Sequence, residues 1–154
     1  MRGYPIALDL IGAAFPPSLK RLQRVMDKAD REGGFIHYLG SSPHDELPAR
    51  YASADACVFA SSCETLGIIL LENMASGLPI ACSDRGPMPE LLGDAAVYFN
   101  PELQSSIEEA LERLLNSSEL RYSLAGKAYQ LSQKYTWDKC ADQTFDFLSQ
   151  CIRS

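Results

Sequence analysis

Glu64-Thr65-Leu66-Gly67-Ile68-Ile69-Leu70-Leu71-Glu72, continued by Asn73-Met74-Ala75-Ser76-Gly77-Leu78-Pro79, decides how the chain is read. Two carboxylates stand eight residues apart around a glycine-containing turn that should open a helix near Leu66. Glu64 then sits on the loop before the helix and Glu72 lies within it. The backbone N–H groups around Leu66, Gly67, Ile68 and Ile69 fall between the two acids and point at a spot suited to an anion. Donors for a phosphate, flanked by carboxylates for sugar hydroxyls, point to a nucleotide sugar.

The segments on either side set the fold class. Ile6-Ala7-Leu8-Asp9-Leu10-Ile11 reads as a buried strand, after which Pro16-Pro17 stops the chain and Ser18 caps a helix with Leu19, Leu22, Met26 and Ala29 on one face. Gly33-Gly34 ends that helix. Residues 35–40 form a second strand, Ser41-Ser42-Pro43 a loop, and residues 46–54 a short helix carrying Leu47, Tyr51 and Ala54 inward. Residues 56–60 are a third strand; a helix over 66–75 ends at Gly77, and residues 78–82 form a fourth strand. A short helical turn near 89–92 leads to a fifth strand at 95–99. Short apolar strands alternating with helices predict an α/β fold, a Rossmann-like doubly wound parallel sheet of about five strands. Three helices should follow, capped by Ser105 or Ser106, by Ser118 and by Thr136, with Trp137, Ala141, Phe145, Leu148 and Ile152 in register on the last. The loops after Leu39, Ala60 and Cys82 are expected to share the carboxyl edge of the sheet.

Composition bounds the partners. The 154 residues fit one domain, 46% apolar and 22% charged, with a net charge of -6 that argues against general affinity for nucleic acid or anionic lipid. No apolar run approaches the roughly 20 residues of a transmembrane segment, and Asp9 interrupts the stretch after Met1-Arg2 that superficially resembles a signal peptide. Five cysteines with no C-x-x-C pair fit a reduced, cytoplasmic protein. Cys63 lacks a visible activating base, so it is not read as a nucleophile, and no metal site is expected.

Further residues resolve the pattern. Tyr51-Ala52-Ser53-Ala54-Asp55, the stretch from Ser62 to Pro79, Ser83-Asp84-Arg85-Gly86-Pro87-Met88-Pro89-Glu90, and Gly93-Asp94-Ala95-Ala96 together resemble the GT4 family of retaining glycosyltransferases. The likeness extends through Tyr135-Thr136-Trp137 and centres on the E-x7-E signature. It implies one half of a GT-B fold: the donor-binding domain (residues 1–154), with the N-terminal acceptor domain absent. The resemblance places Glu64 on the donor sugar, the Leu66 and Gly67 backbone along that sugar, and the Ile68 and Ile69 N–H groups on the diphosphate. Glu72 would hold the ribose hydroxyls, and Gly40-Ser41-Ser42, including Gly40 and Ser42, would read the nucleobase. Transfer in the family proceeds with retention, usually without a required metal or cofactor, from a UDP-, GDP- or ADP-sugar. Two departures stand out: the family's basic Arg/Lys pair has no match here, and its glycine-rich turn reads Gly12-Ala13-Ala14.

Plainer roles compete for each residue. Glu64 could simply cap its helix and Glu72 be a solvated helical position. Glu90 could approach the sugar or cap a short helix. Arg85, Lys20 and Arg21 read as surface residues, His37 as structural, His44 as a loop residue, and Trp137 and Phe145 as members of a core stripe. Three functions remain open: the donor half of a transferase that is inactive by itself, a nucleotide-sugar-binding module or subunit of a split transferase, and an epimerase or phosphorylase relative. The last helices are expected to leave an apolar patch that favours a partner domain or self-association.

Overall fold

The computed structural model describes residues 5–32 and 34–153. Met1, Arg2 and Gly33, which entered the readings of the amino terminus and of the first helix stop, lie outside them. The chain divides into two compact units, Met1–Ala49 and Arg50–Ser154.

The first unit pairs strands β1 (Leu8–Ile11) and β2 (Ile36–Gly40) in parallel, with Leu8 opposite Ile36 and Asp9 opposite His37. His37 Nδ1 lies 2.8 Å from Asp9 Oδ1, a cross-strand pair. Helix α1 (Pro16–Ala29) corrects the capping expectation. Pro16 and Pro17 begin the helix rather than stop the chain, because the first helical N–H groups have no internal acceptor and their loss costs nothing. Phe15 is the N-cap residue, Leu19 N–H donates to its carbonyl at 2.9 Å, and Ser18 lies inside the helix. At the other end the Asp30 carboxylate accepts N–H bonds from Gly34, Phe35 and Ile36, tying the turn to the start of β2.

A short 3-10 turn (His44–Glu46) leads into α2 (Leu47–Ala52), so His44 opens a helical turn. The second unit then holds β3 (Cys57–Phe59), α3 (Ile68–Ala75), β4 (Ile80–Ser83), α4 (Met88–Leu92), β5 (Ala96–Phe99), α5 (Gln104–Asn116), α6 (Ser118–Ser132) and α7 (Trp137–Arg153). Its sheet has the order β3-β4-β5, all parallel. All five expected strands form and pair in parallel, as a pair in one unit and a triplet in the other.

Strand β4 is buried at every position, as a central strand covered on both faces must be. Ile80 and Cys82 pack with Leu70 and Met74 of α3 and with Met88, Leu91 and Leu92 of α4. Ala81 turns to the opposite face with Val97 and Phe99 of β5, against Ala110 and Leu114 of α5 and Leu124 of α6. Placing α3 and α4 on one face is what two successive right-handed crossovers between neighbouring parallel strands require.

The caps of the later helices are mixed. Ser106 does not cap α5; its Oγ accepts the Asn100 N–H, and Leu103 is the N-cap. Ser117, one residue before the expected Ser118, caps α6 by accepting the Leu120 N–H. Thr136 accepts the Lys139 N–H at 3.3 Å at the start of α7. Trp137 and Phe145 are not core: they are 82% and 70% exposed, on the same open apolar stripe as Leu148 and Ile152. Among the described residues no helix is long and apolar enough to cross a membrane.

Candidate functional site

Gly67 shapes the turn that opens α3. It is the N-cap of α3 with φ 77° and ψ 54°, a left-handed conformation that costs an L-residue about 1–2 kcal/mol and glycine almost nothing. It is buried, and a Cβ there would stand 3.6 Å from Leu70 Cβ and 4.0 Å from Phe59 Cε1. The turn delays the helix relative to the expected start: Leu66 stays in the loop and α3 begins at Ile68. The first ring closures are Leu70 N–H and Leu71 N–H to the Gly67 carbonyl, at 2.9 and 3.3 Å. The N–H groups of Ile68 and Ile69 stand ahead of them, at the positive end of the helix dipole, on residues 53% and 57% exposed. Such donors suit an anion.

Carboxylates bracket these donors along the chain. Glu64 is half-buried on the loop between β3 and α3, and Glu72 is half-buried in the second turn of α3. Tyr51 of α2 donates its hydroxyl to Glu72 Oε2 at 2.8 Å. Burial, and then Glu72 itself, raise the Tyr51 pKa above its ordinary value, so the phenol keeps its proton and donates. The far end of α3 is fixed by Gly77, whose N–H donates to Met74 O while Leu78 N–H reaches Asn73 O, the two bonds of a Schellman stop. Within α3, Asn73 is buried and its amide donates to Ile69 O at 2.7 Å.

The loop after β4 reaches the loop after β3, as expected for a shared carboxyl edge. A Cβ on Gly86 would lie 3.6 Å from the Glu64 carbonyl oxygen and 3.9 Å from its nitrogen, so the two backbones run side by side. Arg85 on that loop is engaged elsewhere: its guanidinium donates to Glu102 at 3.0 Å and lies 3.4 Å from Asp84. Glu90 is exposed on the short α4. Gly40 and Ser42 belong to the first unit, where the Gly40 carbonyl accepts the Gly12 N–H at 2.8 Å and Ser42 Oγ donates to Glu46 at 3.2 Å. The altered turn at Gly12 is held further by the Tyr38 hydroxyl on the Gly12 carbonyl. Lys20 and Arg21 are exposed on α1.

The thiols fall into two groups, with Cys63, Cys140 and Cys151 exposed and Cys57 and Cys82 more enclosed. Burial pushes Cys57 up to about 12, and burial together with Cys57 does the same to Cys82, so both stay protonated. Among the described residues no three His, Cys, Asp or Glu side chains gather where they could hold a metal ion. The sequence reading missed the Tyr51 hydroxyl. Its one signal was a tyrosine at an inward helical position, where a buried phenol needs a polar partner.

Comparison with known proteins places the chain. Residues 2–131 match the family model for glycosyl transferases group 1. Over 125 residues the chain is 30% identical to the O-antigen chain mannosyltransferase B of Escherichia coli, covering 81% of this chain and 32% of that protein. The crystal structure of the C-terminal domain of a glycosyl transferase group 1 family protein (LpcC) from Francisella tularensis superimposes with a TM-score of 0.74 at 29% identity, over 86% of this chain and 71% of that one. Anabaena HepE, solved in complex with UDP, shares the fold at 20% identity with a TM-score of 0.84, over 96% of this chain and 42% of its own. The chain spans about a third of the length of the curated relatives it matches. It belongs to the group 1 glycosyl transferases, and its architecture is one Rossmann-like half of their two-domain GT-B arrangement.

Proposed function

We propose that this member of the group 1 glycosyl transferases holds the nucleotide-sugar donor in a retaining, hexose-transferring reaction. The observation that carries the reading is the left-handed Gly67 cap, which opens α3 so that the Ile68 and Ile69 N–H groups lead the helix, with Glu64 before them and Glu72 after them in the sequence. The two N–H groups take the diphosphate, where fixed dipoles stabilise the charge that builds on the leaving group. Glu72 accepts hydrogen bonds from the ribose hydroxyls. Glu64, with the backbone of Leu66 and Gly67, positions the donor sugar. A fold relative crystallised with UDP supports a nucleotide diphosphate as the bound moiety, and UDP, GDP and ADP are the forms to test. Gly40 and Ser42 are a separate proposal, a backbone contact to the nucleobase. Transfer requires an acceptor-binding domain, a reading supported by relatives roughly three times the length of this chain.

Calorimetric titration with UDP, GDP, ADP and their sugars tests the reading. Binding of at least one is expected. Glu72→Ala should weaken the bare diphosphate about tenfold or more, the loss of a hydrogen bond to a charged group. Glu64→Ala should leave the bare diphosphate unchanged and weaken only the sugar-bearing form. No binding at millimolar concentration, or an equal effect of the two variants on both ligands, sinks the assignment.

A further inference from the structure

Glu72 is not held by its own helix alone. Tyr51, twenty-one residues earlier and on a different element, places its hydroxyl 2.8 Å from Glu72 Oε2 in a half-buried setting. A glutamate side chain on a helix surface samples several rotamers, and ordering it to meet a ligand costs side-chain entropy. A phenol fixed at two torsions supplies a directional donor to one of the roughly four lone-pair directions of the carboxylate. We infer that Tyr51 is a positioning residue that pre-orients the Glu72 carboxylate toward a vicinal diol. This rests on the reading of Glu72 as the ribose-binding acid.

The geometry divides the labour between the two side chains. Tyr51 donates and Glu72 accepts, and the raised pKa of the phenol keeps that direction across the physiological range. The Tyr51 bond occupies one lone-pair direction of Glu72 and leaves others for two adjacent hydroxyl donors. Losing the Tyr51 hydroxyl removes one directional partner of the carboxylate, so the penalty falls on ligands that carry the diol.

The test titrates the wild-type chain, Tyr51→Phe, Glu72→Gln and the double variant with whichever of UDP, GDP and ADP binds tightest, and with its 2′,3′-dideoxy counterpart. The readout is the affinity ratio of the two ligands within each variant, which does not depend on the folded fraction. In the wild type the hydroxylated ligand should bind about tenfold tighter. Tyr51→Phe should lower that ratio about three- to tenfold while leaving the dideoxy ligand unaffected, and should add nothing in the Glu72→Gln background. An unchanged ratio in Tyr51→Phe, an equal loss for both ligands, or additive effects of the two substitutions overturns the positioning role. A wild-type ratio near one overturns the ribose assignment of Glu72 itself, and the inference falls with it.

Discussion

Replacing Gly67 by alanine separates the two things that its left-handed backbone does. At φ 77° an alanine meets a backbone cost of about 1–2 kcal/mol. The new methyl adds no clash, since 3.6 Å to Leu70 Cβ and 4.0 Å to Phe59 Cε1 are ordinary contacts. Restricting the unfolded chain returns about 0.4–1 kcal/mol. The net loss is therefore about 1 kcal/mol, or a fall of ~3 °C in Tm for a chain of this size. Gly77, at the other end of the same helix, has φ 68° and no heavy atom within 4 Å of an added Cβ, so Gly77→Ala should cost the same. Thermal and urea unfolding of both variants check that equality. Nucleotide titration then distinguishes them, because only Gly67 aims the Ile68 and Ile69 N–H groups. Gly67→Ala should lose about tenfold in diphosphate affinity through one misaligned charge-assisted bond, and Gly77→Ala almost none. Equal affinity losses in the two variants, or a Gly67→Ala penalty above about 3 kcal/mol, would refute the reasoning.

Leu70, wholly buried between α3 and the sheet, should cost about 2–5 kcal/mol as Leu70→Ala, whereas Trp137→Ser on the open face of α7 should stay within about 0.5 kcal/mol in denaturant unfolding. Alkylation followed by mass spectrometry should modify the exposed Cys63, Cys140 and Cys151 rapidly in the native protein, and Cys57 and Cys82 only after unfolding, since burial holds both thiols near 12. The Lys127 ammonium beside Asp94 holds that carboxyl below its usual 3.8. A depressed folded pKa stabilises above the unfolded value and is lost as pH falls through the folded one. Wild type and Lys127→Ala should thus differ slightly at neutral pH and converge well below 3.8, as followed by unfolding at stepped pH.

The sequence by itself determined the alternation of strands and helices, the parallel sense of the strands, the stop at Gly77 and the placing of a helix start between Glu64 and Glu72. These are local properties: apolar periodicity, a glycine able to adopt positive φ, and the limited set of connections between parallel strands. Local signals failed where two neighbouring residues could serve equally. Ser117 rather than Ser118 caps α6, and Pro16-Pro17 open α1, because the cap depends on which backbone donor is left without an acceptor once the helix has formed. Only the tertiary structure decided what distant side chains do to one another. It engaged Arg85 with Glu102, laid Gly86 along the Glu64 backbone, left the stripe of α7 open to solvent and brought the Tyr51 hydroxyl onto Glu72. Spacing along a chain reports which face of an element a residue occupies. It carries no record of the partner that the folded chain will bring to that face, and the Tyr51 hydroxyl is such a partner for Glu72.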